Sequence, residues 1–123
     1  MSRYFKSDNT ATAAPEILEA IAAANKGYAR GYGDDALTAR LDGVLGGYFG
    51  CPVRAFPVAT GTAANALALA TLSPPWGSVF CHREAHIVRD ECGAPEFFSN
   101  GARLVLLDGP DARFDAAALT AAI

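Results

Sequence analysis

Thr60-Gly61-Thr62 is the stretch of this chain best suited to hold an anion. It stands between a run that reads as a short strand, Arg54 to Val58, and an alanine- and leucine-rich helix reaching Leu72. At such a junction the first helical amides lack carbonyl partners and the positive end of the helix dipole points outward. Glycine lets an anion come close to the backbone, and the Thr62 hydroxyl adds a donor. The same three residues also read as an ordinary turn with a threonine cap. No Gly-Lys-Ser/Thr ending follows, and no Gly-x-Gly-x-x-Gly opens a helix elsewhere, so neither common nucleotide-binding fingerprint is present.

His82 and His86 stand four residues apart, with Cys81 and Glu91 nearby. Two histidines one helical turn apart can share a zinc ion, but His82-Arg83-Glu84-Ala85-His86 is not the His-Glu-x-x-His arrangement. Cys81 and His82 also fall at a strand end, outside the helix that carries His86, so no metal site is expected. A lone histidine at a helix start is more often a cap or a solvated group than a functional one, and Glu91 is more often a surface glutamate. Cys51, Cys81 and Cys92 are odd in number and irregular in spacing, which suggests reduced, mostly buried thiols rather than a disulfide framework.

The elements that must position these groups alternate between helix and strand. Pro15, with Glu16 beside it, starts a helix through Ile17, Leu18 and Ile21 that should stop at Gly27. Asp34 and Asp35 announce a second, in which Leu37, Leu41, Val44, Leu45 and Tyr48 recur at spacings of three and four and should form one buried face. Pro74, Pro75 and Gly77 break the helix after Thr62, Ser78 to Cys81 reads as a strand, Ala85 to Cys92 as a short helix and Arg103 to Leu107 as a strand. Asp115 caps a last helix through Leu119. This order predicts an α/β fold with a mainly parallel sheet flanked by helices. With three strand candidates and a final helix of barely two turns before Ile123, the sheet is expected to be incomplete and the chain to be part of something longer.

With 123 residues and 51% apolar, the chain is the size of one domain. Its net charge is −3 and its ten basic residues are scattered, so nucleic acid is not an expected partner. No apolar run approaches the roughly 20 residues of a spanning helix, and Met1 to Asp8 lacks a signal-like apolar core, which makes the cytoplasm the expected location.

Four blocks carry a resemblance. Phe5-Lys6-Ser7-Asp8-Asn9-Thr10, Tyr32-Gly33-Asp34-Asp35, Ala59-Thr60-Gly61-Thr62-Ala63-Ala64-Asn65, and Ala85-His86 followed by Glu91-Cys92-Gly93-Ala94 resemble, in order and spacing, the threonine aldolase and β-eliminating lyase family. The resemblance implies a fold-type I (aspartate aminotransferase-like) enzyme with pyridoxal 5'-phosphate between a large and a small domain at a subunit interface. Residues 1–14 would be an N-terminal arm, and residues 15–123 the first part of the large domain. It implies a small amino-acid substrate, a homo-oligomer (dimer or tetramer), and retro-aldol cleavage of a β-hydroxy-α-amino acid such as threonine to glycine and an aldehyde.

Carried over by position, Gly61 and Thr62 would bind the cofactor phosphate, with Ala63 contributing a backbone amide where many relatives have glutamine. His86 would stack on the cofactor ring, and its imidazole could serve as a base for the β-hydroxyl. Glu91 would orient that histidine or hold a water. Ser7 would lie near the substrate carboxylate, or cap a turn, and Tyr32 belongs to a segment that reaches a neighbouring subunit's site. The chain's lysines are Lys6 and Lys26. Neither stands where the family places its cofactor-bonding lysine, so the isolated chain is expected to be inactive. Two further readings remain open: a piece of another fold-type I enzyme such as a β-eliminating lyase, or a non-catalytic product that pairs through its open sheet edge.

Overall fold

The computed structural model describes residues 10–123, which fall into two compact units, 10–55 and 56–123. In the first, Pro15 and Glu16 occupy the opening turn of helix α1 (Pro15–Ala24). Asn25 closes it by donating its amide to the Ile21 carbonyl, ahead of Gly27 at φ +70°. A tight turn follows in which the Asp34 amide donates to the Gly31 carbonyl at 3.3 Å. Its central residues Tyr32 and Gly33 sit at φ 61° and 82°, the sign pattern of a type I′ turn.

Asp35 then organises the next element. Its Oδ1 accepts the Leu37 and Thr38 amides at 2.9 Å each, and its Oδ2 accepts the Thr38 hydroxyl at 2.6 Å. These bonds, the Thr38 hydroxyl foremost, hold the Asp35 carboxyl below its ordinary range. A 3₁₀ turn (Thr38–Arg40) leads from this cap into helix α2 (Leu41–Phe49), which Gly50 ends in the left-handed conformation. The expected buried face does not form: Val44 is 57% and Tyr48 88% exposed, and α2 has no buried residue. The periodicity is that of a packing surface, but among the described residues of this unit nothing covers it.

Arg54 to Val58 is not a strand. The Ala55 amide donates to Asp42 Oδ1 at 2.8 Å, and the Arg54 guanidinium lies 3.3 Å from Asp42 Oδ2. With no strand alongside, the backbone donor goes to a side chain instead.

In the second unit, Thr60 caps helix α3 (Gly61–Leu72), accepting the Ala63 amide on its hydroxyl at 3.1 Å. Strands β1 (Ser78–His82) and β2 (Arg103–Leu107) pair in parallel, with Ser78 opposite Arg103 and His82 opposite Leu107. The crossover carries two short helices rather than the single one expected over Ala85 to Cys92. Helix α4 (His86–Arg89) stops at Asp90, which takes φ −127° and ψ 0°, and Cys92 and Gly93 follow at φ 50° and 75°; α5 (Ala94–Phe98) restarts with Pro95 in its first turn and packs on α3. Asp115 caps helix α6 (Ala116–Ala122) by accepting the Ala118 amide at 2.8 Å, and α6 lies against β2.

Among the described residues the core is small: Ala66, Cys81, Pro95, Ala102 and Leu107 are the buried apolar residues, while Leu72 and Trp76 stay more than three-quarters exposed. Only Cys81 of the three thiols is buried, and burial raises its pKa; Cys51 and Cys92 are exposed, contrary to the expectation of mostly buried cysteines. A two-stranded parallel sheet with such uncovered apolar surface is a partial α/β domain, since parallel sheets are normally covered on both faces.

Candidate functional site

Three groups from sequence-distant places come together in the second unit. The first is the N-terminus of α3. Ala64 donates to the Thr60 carbonyl and Ala63 to the Thr60 hydroxyl, so those amides are taken. The amides of Gly61 and Thr62 have no acceptor among the described residues. They are left at the positive end of a 12-residue helix. A Cβ built on Gly61 would meet nothing within 4 Å, so the backbone there is open to a close approach. The cradle follows a loop rather than the expected strand, and Ala63 spends its amide on the cap.

The second group is His86, the first residue of α4, whose side chain is 67% exposed. Its Nδ1 lies 3.1 Å from Asp90 Oδ2 and its Nε2 3.6 Å from Glu91 Oε1. The imidazole is thus edged by two carboxylates while much of its surface stays open. The third group is Glu91, whose side chain is fully buried. Its Oε1 accepts the Asn65 Nδ2 at 2.7 Å, and its Oε2 has no protein partner. A buried carboxylate needs donors, and Asn65 is the one α3 supplies.

Sequence reasoning singled out His86 and Glu91 but missed Asn65 and Asp90. Asn65 had a readable signal, being the lone amide side chain in a helix of small and apolar residues. His82 lies elsewhere: its Nδ1 accepts the Glu84 amide and its Nε2 faces the Gly109 carbonyl, both at 3.1 Å. With both ring nitrogens on the backbone, it ties the end of β1 to the loop after β2. Beside it, Arg83 donates from Nε and Nη2 to the two carboxylate oxygens of Asp108, lowering the Asp108 pKa and raising that of Arg83.

Tyr32 belongs to the first unit, fully exposed on its turn, and Ser7 lies outside the described residues. A separate groove of about 610 Å³ runs along α3, lined by Phe56, Val58, Leu67, Ala68 and Leu72 among others. Its apolar wall offers nothing to hold an anion.

A parallel α/β unit with two free amides at a helix start, linked through Asn65 and Glu91 to an exposed imidazole, defines the class: an α/β protein with a helix start able to accept an anion. The model of the β-eliminating lyase family matches residues 4–123, and the chain belongs to that family. It is 48% identical over 105 residues to a low specificity L-threonine aldolase of Pseudomonas aeruginosa, and 46% over 104 residues to one of a Pseudomonas sp. strain. Each match covers 85% of this chain and 30% of the relative, so the chain spans about 30% of the length of these curated relatives. The solved structure of Leishmania major threonine aldolase superposes with a TM-score of 0.78 at 28% identity, covering 89% of this chain and 32% of that one. The fold is accordingly the N-terminal portion of a threonine aldolase-like, fold-type I domain.

Proposed function

We propose that this chain forms the N-terminal part of a cytoplasmic, pyridoxal 5'-phosphate-dependent aldolase that cleaves threonine-type β-hydroxy-α-amino acids to glycine and an aldehyde. The observation that carries the reading is the pair of unpartnered amides at Gly61 and Thr62, tied through Asn65 and Glu91 to the neighbourhood of the open His86 ring. The residues fit the cofactor. A dianionic phosphate matches free amides at a helix start with the Thr62 hydroxyl beside them, and a flat pyridine matches an imidazole with most of its side chain free.

When bound, the cofactor supplies the electron sink that lets the Cα–Cβ bond break. Gly61 and Thr62 anchor the phosphate, with Ala63 holding the turn through its amide. His86 would support the ring and, at an imidazole nitrogen, would take up the proton of the substrate β-hydroxyl, with Glu91 setting which way that imidazole faces. In the same reading Ser7, on the arm of residues 1–14, donates to the substrate carboxylate, and Tyr32 projects toward the site of a second copy in a homo-oligomer. Residues 15–123 are the first part of the large domain, and the lysine that bonds the cofactor belongs to the length the chain does not span in its relatives.

The test is to give the full-length protein, loaded with pyridoxal 5'-phosphate, either L-threonine or an amino acid with a β-leaving group. Acetaldehyde and glycine from threonine are expected. Turnover of the second substrate alone would replace the aldolase with β-elimination, the chemistry named in the family's description.

A further inference from the structure

Asn65 stands four residues after Gly61 on α3, just over one turn along and on nearly the same helix face. Its Nδ2 reaches 26 residues ahead to Glu91 Oε1 at 2.7 Å, and that same oxygen is the one 3.6 Å from His86 Nε2. The carboxylate side chain is fully buried and its other oxygen finds no protein donor. A buried carboxylate is costly to leave uncompensated, so a single strong donor decides where it points.

We infer that Asn65 is a positioning residue. It fixes Glu91, and through Glu91 the plane of the His86 imidazole, relative to the Gly61 and Thr62 amides on its own helix. Phosphate cradle and ring support are thereby held in register by one side-chain link rather than by two independent loops. The residue type suits the task. An amide donates to a carboxylate without adding charge, whereas aspartate at this place would set a second acid against a buried one. This inference rests on the reading of the site as a pyridoxal phosphate site.

The test uses full-length holoenzyme carrying Asn65→Ala, Glu91→Gln, or both. Asn65→Ala is expected to lower kcat on the order of tenfold to a hundredfold, with a smaller change in KM, since small misplacements of a reacting group carry penalties of this size. It should also reshape the visible circular dichroism of the bound cofactor, which reports ring orientation. In the Glu91→Gln background the same substitution should do far less, because Asn65 acts through the group already altered. Additive losses, or a lowered Tm with kcat and dichroism unchanged, would overturn the inference. Should Glu91→Gln fail to fold, Asn65→Asp takes its place: a displaced pH–rate profile supports the link, and a wild-type profile sinks it. If wild-type protein binds no pyridoxal phosphate, the functional proposal falls by itself. The link is then read in apoprotein from the Asn65 side-chain amide by NMR, where slow exchange sustains it and free exchange refutes it.

Discussion

Residues 15–55 and 56–123 are built from equally clear local signals, yet those signals yield different kinds of structure. In the first region Pro15, Asp35 and Gly50 set the helix ends, but no residue of α1 or α2 is buried. In the second, capped helices pack against a strand pair, and polar contacts join residues more than 20 positions apart: Asn65 with Glu91, His82 with Gly109, Arg83 with Asp108. Caps and periodicity suffice to shape a helix; a site requires segments that bury one another. The proposed anion cradle and the imidazole beside Glu91 accordingly lie in the second region.

The contrast is tested most strongly by truncating one apolar residue in each. Leu107, buried at the end of β2, should cost about 2–4 kcal/mol when changed to alanine. Exposed Val44 on α2 should cost under about 0.5 kcal/mol when treated alike. Urea unfolding of the 123-residue chain measures both. In the full-length protein a narrowing of that gap would show that the α2 face is covered by segments beyond these residues.

A smaller effect separates folding from function at the start of α3. Thr60→Ala removes the cap on the Ala63 amide and should lower stability by about 1 kcal/mol. Gly61→Ala, placed where a Cβ meets nothing, should leave Tm unchanged while weakening phosphate binding.

The smallest effect concerns the exposed Arg83–Asp108 pair. Because the folded Asp108 pKa is lowered, chiefly by the Arg83 hydrogen bond, its contribution is present above the ordinary carboxylate range and is lost as pH falls through the lowered value. The Tm difference between wild type and Asp108→Asn should therefore exist at neutral pH and vanish in acid. A difference that grows on acidification would contradict the assignment.

Much of this was legible from residue types. Helix starts at Pro15, Gly61 and Ala116 follow from Pro15, Thr60 and Asp115, and Arg103–Leu107 is a strand as its apolar run predicts. Family membership was readable in four blocks. What failed was whatever depended on a distant partner. Arg54 to Val58 has strand-like composition but no neighbour to pair with, and its Ala55 amide turns to Asp42. Helix α5 went unseen because five residues are too few to show a helical period; Gly93 precedes it in a left-handed conformation and Pro95 occupies its first turn. The Asn65–Glu91 bond spans 26 residues, and only the oddity of an amide in an apolar helix hinted at it.

The N-terminus of α3 is proposed to cradle the cofactor phosphate through the Gly61 and Thr62 amides and the Thr62 hydroxyl. The affinity of the full-length protein for pyridoxal 5'-phosphate, measured for wild type and Thr62→Ala, tests it most directly. The Thr62 side chain has no hydrogen-bond partner among the described residues, so the variant should melt as wild type does yet bind the cofactor about tenfold more weakly or worse, the cost of one hydrogen bond to a charged group. Equal affinities in two equally folded proteins would contradict the account.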